Sequence, residues 1–249
     1  MRRPFVAANW KMNGDLASNA KLAQAFAAGI DTSKVDAAVF APHVYLSALS
    51  EQLKGSKISV GAQTANTAEK GAFTGETSLS MIKEVGCTHV LTGHSERRVM
   101  NGETDEVVAD KTATALEAGL TPVFCIGETL AERESGNMET VVARQINTVI
   151  DRVGVEAFNN IIVAYEPVWA IGTGVTASAE QAQEAHAFIR ALFANLSASI
   201  ADKLVILYGG SMKAANAKEL IGQPDIDGGL VGGASMIAEE FVAICNAAV

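Results

Sequence analysis

The chain has 249 residues, of which 49% are hydrophobic, and its formal net charge is −9 at pH 7. This composition allows a sizeable core and argues against nucleic acid or an acidic membrane surface as a partner. The three cysteines are widely spaced without a CxxC pair, so the sequence indicates neither a disulfide framework nor a zinc site.

No feature of the sequence divides the chain or directs it to a membrane. It contains no linker rich in Pro or Ser and no run of like charges, which predicts a single domain over residues 1–249. The apolar run at residues 5–8 is too short for a signal peptide, and no segment is long and apolar enough to cross a bilayer. We therefore expect a cytoplasmic protein.

Short apolar runs alternate with amphipathic ones. They predict eight strands, at residues 5–10, 37–41, 58–63, 89–93, 122–126, 161–165, 204–208 and 228–231. A helix is predicted over residues 178–196, and Ser178 with Gln181 forms a capping box at its start. Strict alternation of strands and helices in a chain of this length predicts an α/β fold, a closed (β/α)₈ barrel of eight parallel strands. An open doubly wound sheet is the alternative, but no GxGxxG motif follows an early strand.

Polar residues follow the first strand, at the end where barrel enzymes place their chemistry. Lys11 can hold a phosphate or stabilise negative charge that develops in a transition state, although a lysine at such a position is usually solvated. Asn9 has two interpretations of similar weight: it donates a hydrogen bond to a substrate oxygen, or it caps the end of the strand.

The fourth strand is followed by His94, at the turn into a helix. Backbone N–H groups and the positive end of that helix disfavour the imidazolium, so we expect a neutral ring that donates to a carbonyl oxygen. Glu96 is either a surface charge or a partner that fixes a catalytic ammonium. We interpret Arg97 and Arg98 as anchors for neighbouring loops, for instance through Glu103. The other histidines, His43, His89 and His186, are interpreted as structural.

The sixth strand ends at Glu166. Pro167 biases Glu166 away from the helical region, so the carboxylate leaves the strand in one direction. Gly172 and Gly174 follow, and they permit positive φ, which suits either contact with an anion or a loop that changes conformation. These features predict a catalytic carboxylate beside a movable cover.

Glycine pairs follow the last two strands, before Ser211 and at Gly232 and Gly233. One pair alone is weak evidence, since turns commonly use glycine. Two pairs after strands seven and eight fit the place where many barrels bind phosphate through backbone N–H groups. Peptide dipoles at this position would bind an anion despite the negative charge of the chain.

Together these motifs resemble the triosephosphate isomerase family along essentially the whole chain. The resemblance rests on AANWKMNG at residues 7–14, GAFTGE at 71–76, GHSERR at 93–98, AYEPVWAIGTG at 164–174, YGGS at 208–211 and LVGGAS at 230–235. It implies interconversion of dihydroxyacetone phosphate and D-glyceraldehyde 3-phosphate without a cofactor or metal. It also implies roles for particular residues: Glu166 as the base, His94 as the electrophile, Lys11 and Asn9 as substrate ligands, and Gly172, Ser211, Gly232 and Gly233 as the phosphate site.

The resemblance also implies a lid and a dimer. Residues 168–174 would close over the phosphate, and the lid ends in Val175-Thr176-Ala177, where the family pattern leads us to expect a Lys-Thr-Ala-like hinge. The segment from Thr64 to Ser78 has no clear secondary-structure pattern, yet it carries Phe73 among small residues. By resemblance this loop inserts into a second subunit of a homodimer near its Lys11 and Glu96, with Thr74 closest.

Two other classes of function stay open on the sequence. The first is another phosphate-binding barrel enzyme, such as an aldolase that forms a Schiff base on Lys11. Glu96 and Glu166 argue against it, because they would favour a charged lysine. The second is a barrel without catalytic activity that serves as a scaffold.

Overall fold

The computed structural model describes residues 2–171 and 177–248. Its parallel strands form a closed barrel in chain order, and the last strand pairs with the first. The eight strands in the described residues are β1 Phe5–Asn9, β2 Asp36–Ala41, β3 Ser59–Ala62, β4 His89–Thr92, β5 Thr121–Ile126, β6 Ile162–Tyr165, β7 Ile206–Tyr208 and β8 Gly228–Val231. The predicted (β/α)₈ barrel is confirmed.

Helices surround this barrel. Those in the described residues are α1 Leu16–Gly29, α2 Leu46–Gln52, α3 Leu79–Glu84, α4 Ser95–Asn101, α5 Asp105–Glu117, α6 Leu130–Glu134, α7 Met138–Val153, α8 Ala179–Leu196, α9 Ala198–Lys203, α10 Ala214–Ile221 and α11 Ala238–Ala247. Short 3₁₀ turns lie at His43–Tyr45, Val155–Asn160, Val168–Ala170 and Gly233–Met236.

The capping box predicted for the helix after the lid is present at α8. The Ser178 side chain accepts a hydrogen bond from the Gln181 N–H, and the Gln181 side chain accepts one from the Ser178 N–H. These two bonds satisfy donors that the first turn of a helix leaves without partners.

Strands β3 and β7 are each two residues shorter than the sequence predicts, and the other differences in strand ends are of one residue. Strand β3 ends at Ala62, and the next residue, Gln63, donates its side-chain amide to the carbonyl oxygens of Lys11 and Phe40. Strand β7 begins at Ile206 because the N–H of Leu204 still belongs to the end of α9, where it donates to Ile200. Local hydrogen bonds therefore decide these two ends.

The core has two layers, because alternate residues of each strand face opposite sides of the sheet. Side chains inside the barrel include Phe5, Phe40, Leu91 and Leu207, and a larger apolar cluster fills the space between barrel and helices. Gly61 makes room for one of them, since a Cβ at Gly61 would lie only 2.4 Å from the Phe40 ring. The barrel interior is thus a packed core, as expected for this architecture.

The three cysteines occupy both layers. Cys125 lies inside the barrel, whereas Cys87 and Cys245 belong to the outer cluster. None forms a disulfide and all are buried. Burial raises the pKa of every one of these thiols, that of Cys87 to about 11.

The connection from β3 to α3 is irregular, as the sequence predicts. It is closed at its base by bridge pairing between Asn66 and Ser78, and Asn66 N–H donates to the Thr77 carbonyl. Phe73 at its far end is about half exposed. We refer to Thr64 to Ser78 as the β3–α3 loop. Elsewhere, among residues 2–171 and 177–248, no helix has the length and hydropathy needed to span a bilayer.

His186 is fully buried in the outer core, in line with a structural interpretation. Its ring packs edge-on against Tyr165 with centroids 5.7 Å apart, and its Nδ1 lies 3.2 Å from the carbonyl oxygen of Asp225. Burial lowers the pKa of His186 to about 3. The same effect, partly opposed by Asp36, lowers the pKa of His89 to about 4.

These histidines predict an acid-sensitive fold. In the unfolded chain a histidine binds a proton near pH 6.5, whereas native His186 stays neutral down to about pH 3, so stability falls as the pH drops between these values. At pH 4.5 the contribution of one such histidine is a loss of roughly 2 to 3 kcal/mol.

We expect His186→Phe to reduce the loss of unfolding free energy between pH 7 and pH 4.5 by about that amount. Urea titrations at the two pH values measure this difference. The absolute stability of the variant is not the readout, because the substitution also removes the contact with Asp225. An unchanged pH dependence would contradict the prediction.

Candidate active site

A cavity of about 270 Å³ opens at the carboxyl ends of the strands, where the sequence places the chemistry. The predicted residues that line it come from the ends of β1, β4, β6, β7 and β8: Asn9, Lys11, His94, Glu166, Ser211, Gly232 and Gly233. The predicted ligand Gly172 lies outside the described residues, as do Gly174, Val175 and Thr176 of the predicted lid.

The Glu166 side chain is buried at the floor of this cavity. Only 2% of the residue is exposed. Its Oε1 lies 3.0 Å from Nε2 of His94, and its Oε2 accepts a hydrogen bond of 2.9 Å from the backbone N–H of Ser95. A buried carboxylate needs such donors, since desolvation alone would drive it to the neutral form.

His94 is both an active-site side chain and the N-cap of α4. Its Nδ1 accepts a hydrogen bond of 3.2 Å from the backbone N–H of Glu96. Because Nδ1 is an acceptor, the ring proton of the neutral form is on Nε2, which faces Glu166. The helix start therefore selects the tautomer that can donate into the cavity.

The two side chains form a coupled pair. Burial disfavours a charged His94, but the adjacent Glu166 and Glu96 carboxylates outweigh it and raise the pKa of His94 above its ordinary value. Burial also disfavours a charged Glu166, yet His94, the Ser95 N–H and Lys11 hold its pKa below the ordinary value. The expectation that the helix end depresses the pKa of His94 is thus wrong while Glu166 remains in contact with it.

Lys11 reaches the cavity from a strained backbone position. Its φ is +52°, in the left-handed region that residues other than glycine rarely adopt. The Lys11 N–H donates to the side-chain oxygen of Asn9, and Gln63 donates to the Lys11 carbonyl. Asn9 therefore does hold the end of its strand, one of the two interpretations of this residue, and it also lines the cavity.

The Lys11 ammonium is paired with Glu96. Its Nζ lies 2.5 Å from Oε1 of Glu96, and both side chains are partly exposed. This ion pair occupies the Lys11 nitrogen, whereas a Schiff-base lysine needs a free amine that can attack a carbonyl. The geometry argues against the aldolase alternative.

The glycine turns after β7 and β8 form the opposite wall. A Cβ at Gly232 would lie 3.5 Å from Cε of Lys11, an ordinary van der Waals distance, so Gly232 lies beside the lysine side chain. Ser235 holds this turn through its hydroxyl, which donates to the Gly232 carbonyl at 2.7 Å. Gly209 lies beside Glu166, since a Cβ at Gly209 would come within 2.8 Å of Cγ of Glu166.

A second cavity, of about 330 Å³, meets the first at Lys11. Besides Asn9, Lys11 and His94 it is lined by Glu96, by Met12 and by Met100 near the end of α4. Thr74 is exposed on the β3–α3 loop and does not line the active-site cavity.

The two arginines after Glu96 anchor loops rather than line the active-site cavity, as the sequence predicts. Arg97 pairs with the buried Glu103, with Nε 2.5 Å from Oε1. Arg98 pairs with Asp105 and donates to the carbonyl oxygens of Gly93 and Cys125.

Sequence reasoning missed three contributors to the site. The first is the Ser95 N–H, a backbone group that no residue type reveals. The second is Gln63, which binds the Lys11 carbonyl. The third is Glu128, whose Oε1 accepts hydrogen bonds from Tyr165 and Trp169, on either side of Glu166 in the chain, and lies 3.3 Å from Nη1 of Arg133. The sequence around Glu128 does not indicate that its side chain is fully buried.

The described residues contain no group of three or more His, Cys, Asp or Glu side chains arranged to hold a metal ion. The cavity is lined by a carboxylate, an imidazole and an ammonium beside two glycine turns. Such a set is suited to proton transfer on an anionic substrate.

Comparison with known proteins gives one consistent result. The family model described as triosephosphate isomerase matches residues 4–248. Curated proteins named triosephosphate isomerase from Dechloromonas aromatica and Thiobacillus denitrificans are 55% and 56% identical to the chain over 248 residues, and each alignment covers 99–100% of both chains. The protein of that name from Pseudomonas entomophila is 56% identical over 249 residues, which cover 100% of this chain and 99% of its own. The chain therefore belongs to the triosephosphate isomerase family.

Proposed function

We propose that this aldose–ketose isomerase interconverts dihydroxyacetone phosphate and D-glyceraldehyde 3-phosphate with Glu166 as base and His94 as electrophile. The observation that carries these assignments is the buried contact between the two side chains, 3.0 Å apart on the floor of a cavity that Lys11 also lines. Family membership supports the reaction itself.

The reaction needs two proton movements and no net oxidation. Glu166 removes a proton from C1 of dihydroxyacetone phosphate, and the electrons move to the C2 oxygen to give an enediolate. Return of the proton to C2, with transfer of a proton between the two oxygens, yields the aldehyde. His94 donates from Nε2 to the oxygens, and Lys11 stabilises their negative charge.

For this chemistry the substrate oxygen must replace Glu166 as the partner of His94. Once the carboxylate leaves His94 and the Ser95 N–H, the contacts that lower its pKa are lost while burial still raises it, so Glu166 becomes a stronger base. The same change removes the largest contribution that raises the pKa of His94, which favours the neutral imidazole. When substrate displaces Glu166 from His94, the pKa of Glu166 thus rises and that of His94 falls, and both changes favour proton transfer.

The phosphate would bind at the glycine turns. Gly232, Gly233 and Ser211 line the same cavity as the base, and we add Gly172 from the sequence motif. Peptide N–H groups there, with Lys11 nearby, offset the charge of −9 that the whole chain carries. Binding energy from this unreactive group would help to position the reacting carbons.

The proposed base Glu166 can be tested by substitution. Glu166→Gln keeps the size of the side chain but removes the proton acceptor, so kcat should fall by ~10² to 10⁴ or more. A coupled assay in both directions measures kcat, and calorimetry with glycerol 3-phosphate should show nearly unchanged binding. The matched control is Glu184→Gln, at a mostly exposed glutamate, which should retain full turnover. Near-normal turnover of Glu166→Gln would refute the assignment.

Borohydride trapping and the coupled assay together separate the alternative functions. Treatment with borohydride in the presence of a triose phosphate should leave Lys11 without an adduct, since its ammonium is paired with Glu96. An adduct would support a Schiff-base enzyme instead, and the complete absence of isomerase activity in the wild type would favour a scaffold.

We further propose that the chain is a single-domain cytoplasmic protein. We also propose that it forms a homodimer through the β3–α3 loop. The loop projects Phe73 and Thr74 into solvent, while the second cavity, beside Lys11 and Glu96, is bordered by the exposed side chains of Met12 and Met100. A loop tip of one subunit in the cavity of the other covers both apolar surfaces, and a two-fold axis makes the exchange reciprocal.

This arrangement predicts that association and activity are linked. Replacing Phe73 and Thr74 together by Asp would remove the apolar contact with Met12 and Met100 and would place two carboxylates near Glu96. A cost of about 3 kcal/mol weakens association more than 100-fold. Activity should fall with it, because the loop covers Lys11 and Glu96. Sedimentation at micromolar concentration should show the wild type near twice 25.9 kDa and the variant near 25.9 kDa.

The control for this test is Leu196→Asp, at an exposed leucine on the last residue of α8 and so at the other end of the barrel. It should stay dimeric and active. A wild type that is monomeric and fully active, or a double variant that remains dimeric, would defeat the proposal.

A further inference from the structure

Gln145 is a polar side chain on the otherwise apolar buried face of α7. The residue is 5% exposed, and the same helix buries Val141, Val142, Ile146 and Val149. A side-chain amide in such surroundings needs hydrogen-bond partners for both its oxygen and its nitrogen. Neither the predicted site nor the residues assigned to the reaction account for it.

Both ends of the Gln145 amide bind the backbone of one residue, Gly127. The Gly127 N–H donates to Oε1 at 2.9 Å, and Nε2 donates to the Gly127 carbonyl at 3.2 Å. Gly127 comes directly after β5, at the point where the regular pairing with β6 ends. The helix side chain thus takes the place of a strand partner at this residue.

Gly127 lies against the backbone of the catalytic base. A Cβ at Gly127 would be only 1.8 Å from the carbonyl oxygen of Glu166 and 2.7 Å from its carbonyl carbon. On either side, Glu166 N–H donates to the Ile126 carbonyl at 2.7 Å and Val168 N–H donates to the Glu128 carbonyl at 3.1 Å. The position of Gly127 therefore limits the position of the Glu166 backbone.

Packing does not fill all the space around Gly127. A cavity of about 420 Å³ lies there, separate from the active-site cavity and lined by Gly127, Gln145 and Glu166 among others. Its arginines, Arg98 and Arg144, are both paired with Asp105. Space beside Gly127 means that the two bonds to Gln145 restrain it in a direction where neighbouring atoms are sparse.

We propose that Gln145 is a positioning residue for proton transfer, which acts on Glu166 through the Gly127 peptide. This role rests on the proposed function of Glu166 as the base. Proton transfer depends steeply on the placement of the base, and a shift of ~1 Å can lower the rate about 10²-fold. Gln145 does not touch the active-site cavity, so substrate binding should not depend on it.

The test is Gln145→Leu, which has a similar size and lacks both hydrogen bonds. We expect kcat to fall about 10-fold to 10²-fold, while KM and the Kd of glycerol 3-phosphate stay within about threefold of the wild type. The matched control is Gln183→Leu. Gln183 also binds one residue through both ends of its amide: its Nε2 donates to Oδ2 of Asp225 at 2.6 Å, and its Oε1 accepts from the Asp225 N–H at 3.1 Å. It belongs to neither cavity at the active site. It should lower Tm comparably and leave kcat unchanged.

A second variant, Gln145→Glu, gives a signature that a merely structural role would not produce. Its carboxylate can still accept from the Gly127 N–H, but it donates to the Gly127 carbonyl only when protonated. The kcat of this variant, relative to the wild type, should therefore recover as the pH is lowered from 8 to 6. Should Gln145→Leu fail to fold, this pH profile carries the test.

The outcomes separate the positioning role from the base itself. If Glu166→Gln is inactive and Gln145→Leu has wild-type kcat, the positioning role fails while the base assignment stands. A loss of kcat that Gln183→Leu reproduces, or a flat ratio in the pH profile of Gln145→Glu, also overturns it. If Glu166→Gln keeps normal turnover, the base assignment fails and the role of Gln145 fails with it.

Discussion

The burial of one carboxylate is the constraint on which the rest of the site depends. Glu166 is 2% exposed, and a charge in that position needs donors from several directions. His94 and the Ser95 N–H supply them from the start of α4, while strand β5 holds the backbone behind the carboxylate. A closed parallel barrel brings these groups together, because all its strands end at the same mouth.

The distribution of charge explains how an acidic chain accepts an anion. Among the groups that line the active-site cavity, Lys11 supplies a full positive charge, and Glu96 holds it in place from a distance of 2.5 Å. Peptide dipoles at the glycine turns do not alter the net charge, so the proposed phosphate site needs no basic patch. The left-handed backbone of Lys11 is the cost of this placement, and hydrogen bonds with Asn9 and Gln63 offset it.

Much of the fold was predictable because hydrophobic periodicity and capping chemistry are local. All eight strands and the capping box at Ser178 follow from them, and only strand ends such as Ala62 differ. The positions of the polar side chains at the strand ends were predictable for the same reason, because each of them lies at the end of a strand that the sequence itself predicts. Contacts across the barrel were not: the protonation of His94 depends on Glu166, 72 residues away along the chain, and the bracket that Gln145 forms is made with backbone atoms. Spacing in a sequence carries no information on either.

The reactivity of the buried thiols reports the unfolding of the regions that contain them. A thiol reacts as the thiolate, and burial both raises the pKa of Cys87, Cys125 and Cys245 and shields them from reagents. Alkylation of the intact protein must therefore wait for local or global unfolding. Because Cys125 lies inside the barrel and the other two lie under the helices, mass spectrometry of the labelled positions would distinguish the loosening of the outer shell from the parting of the strands themselves.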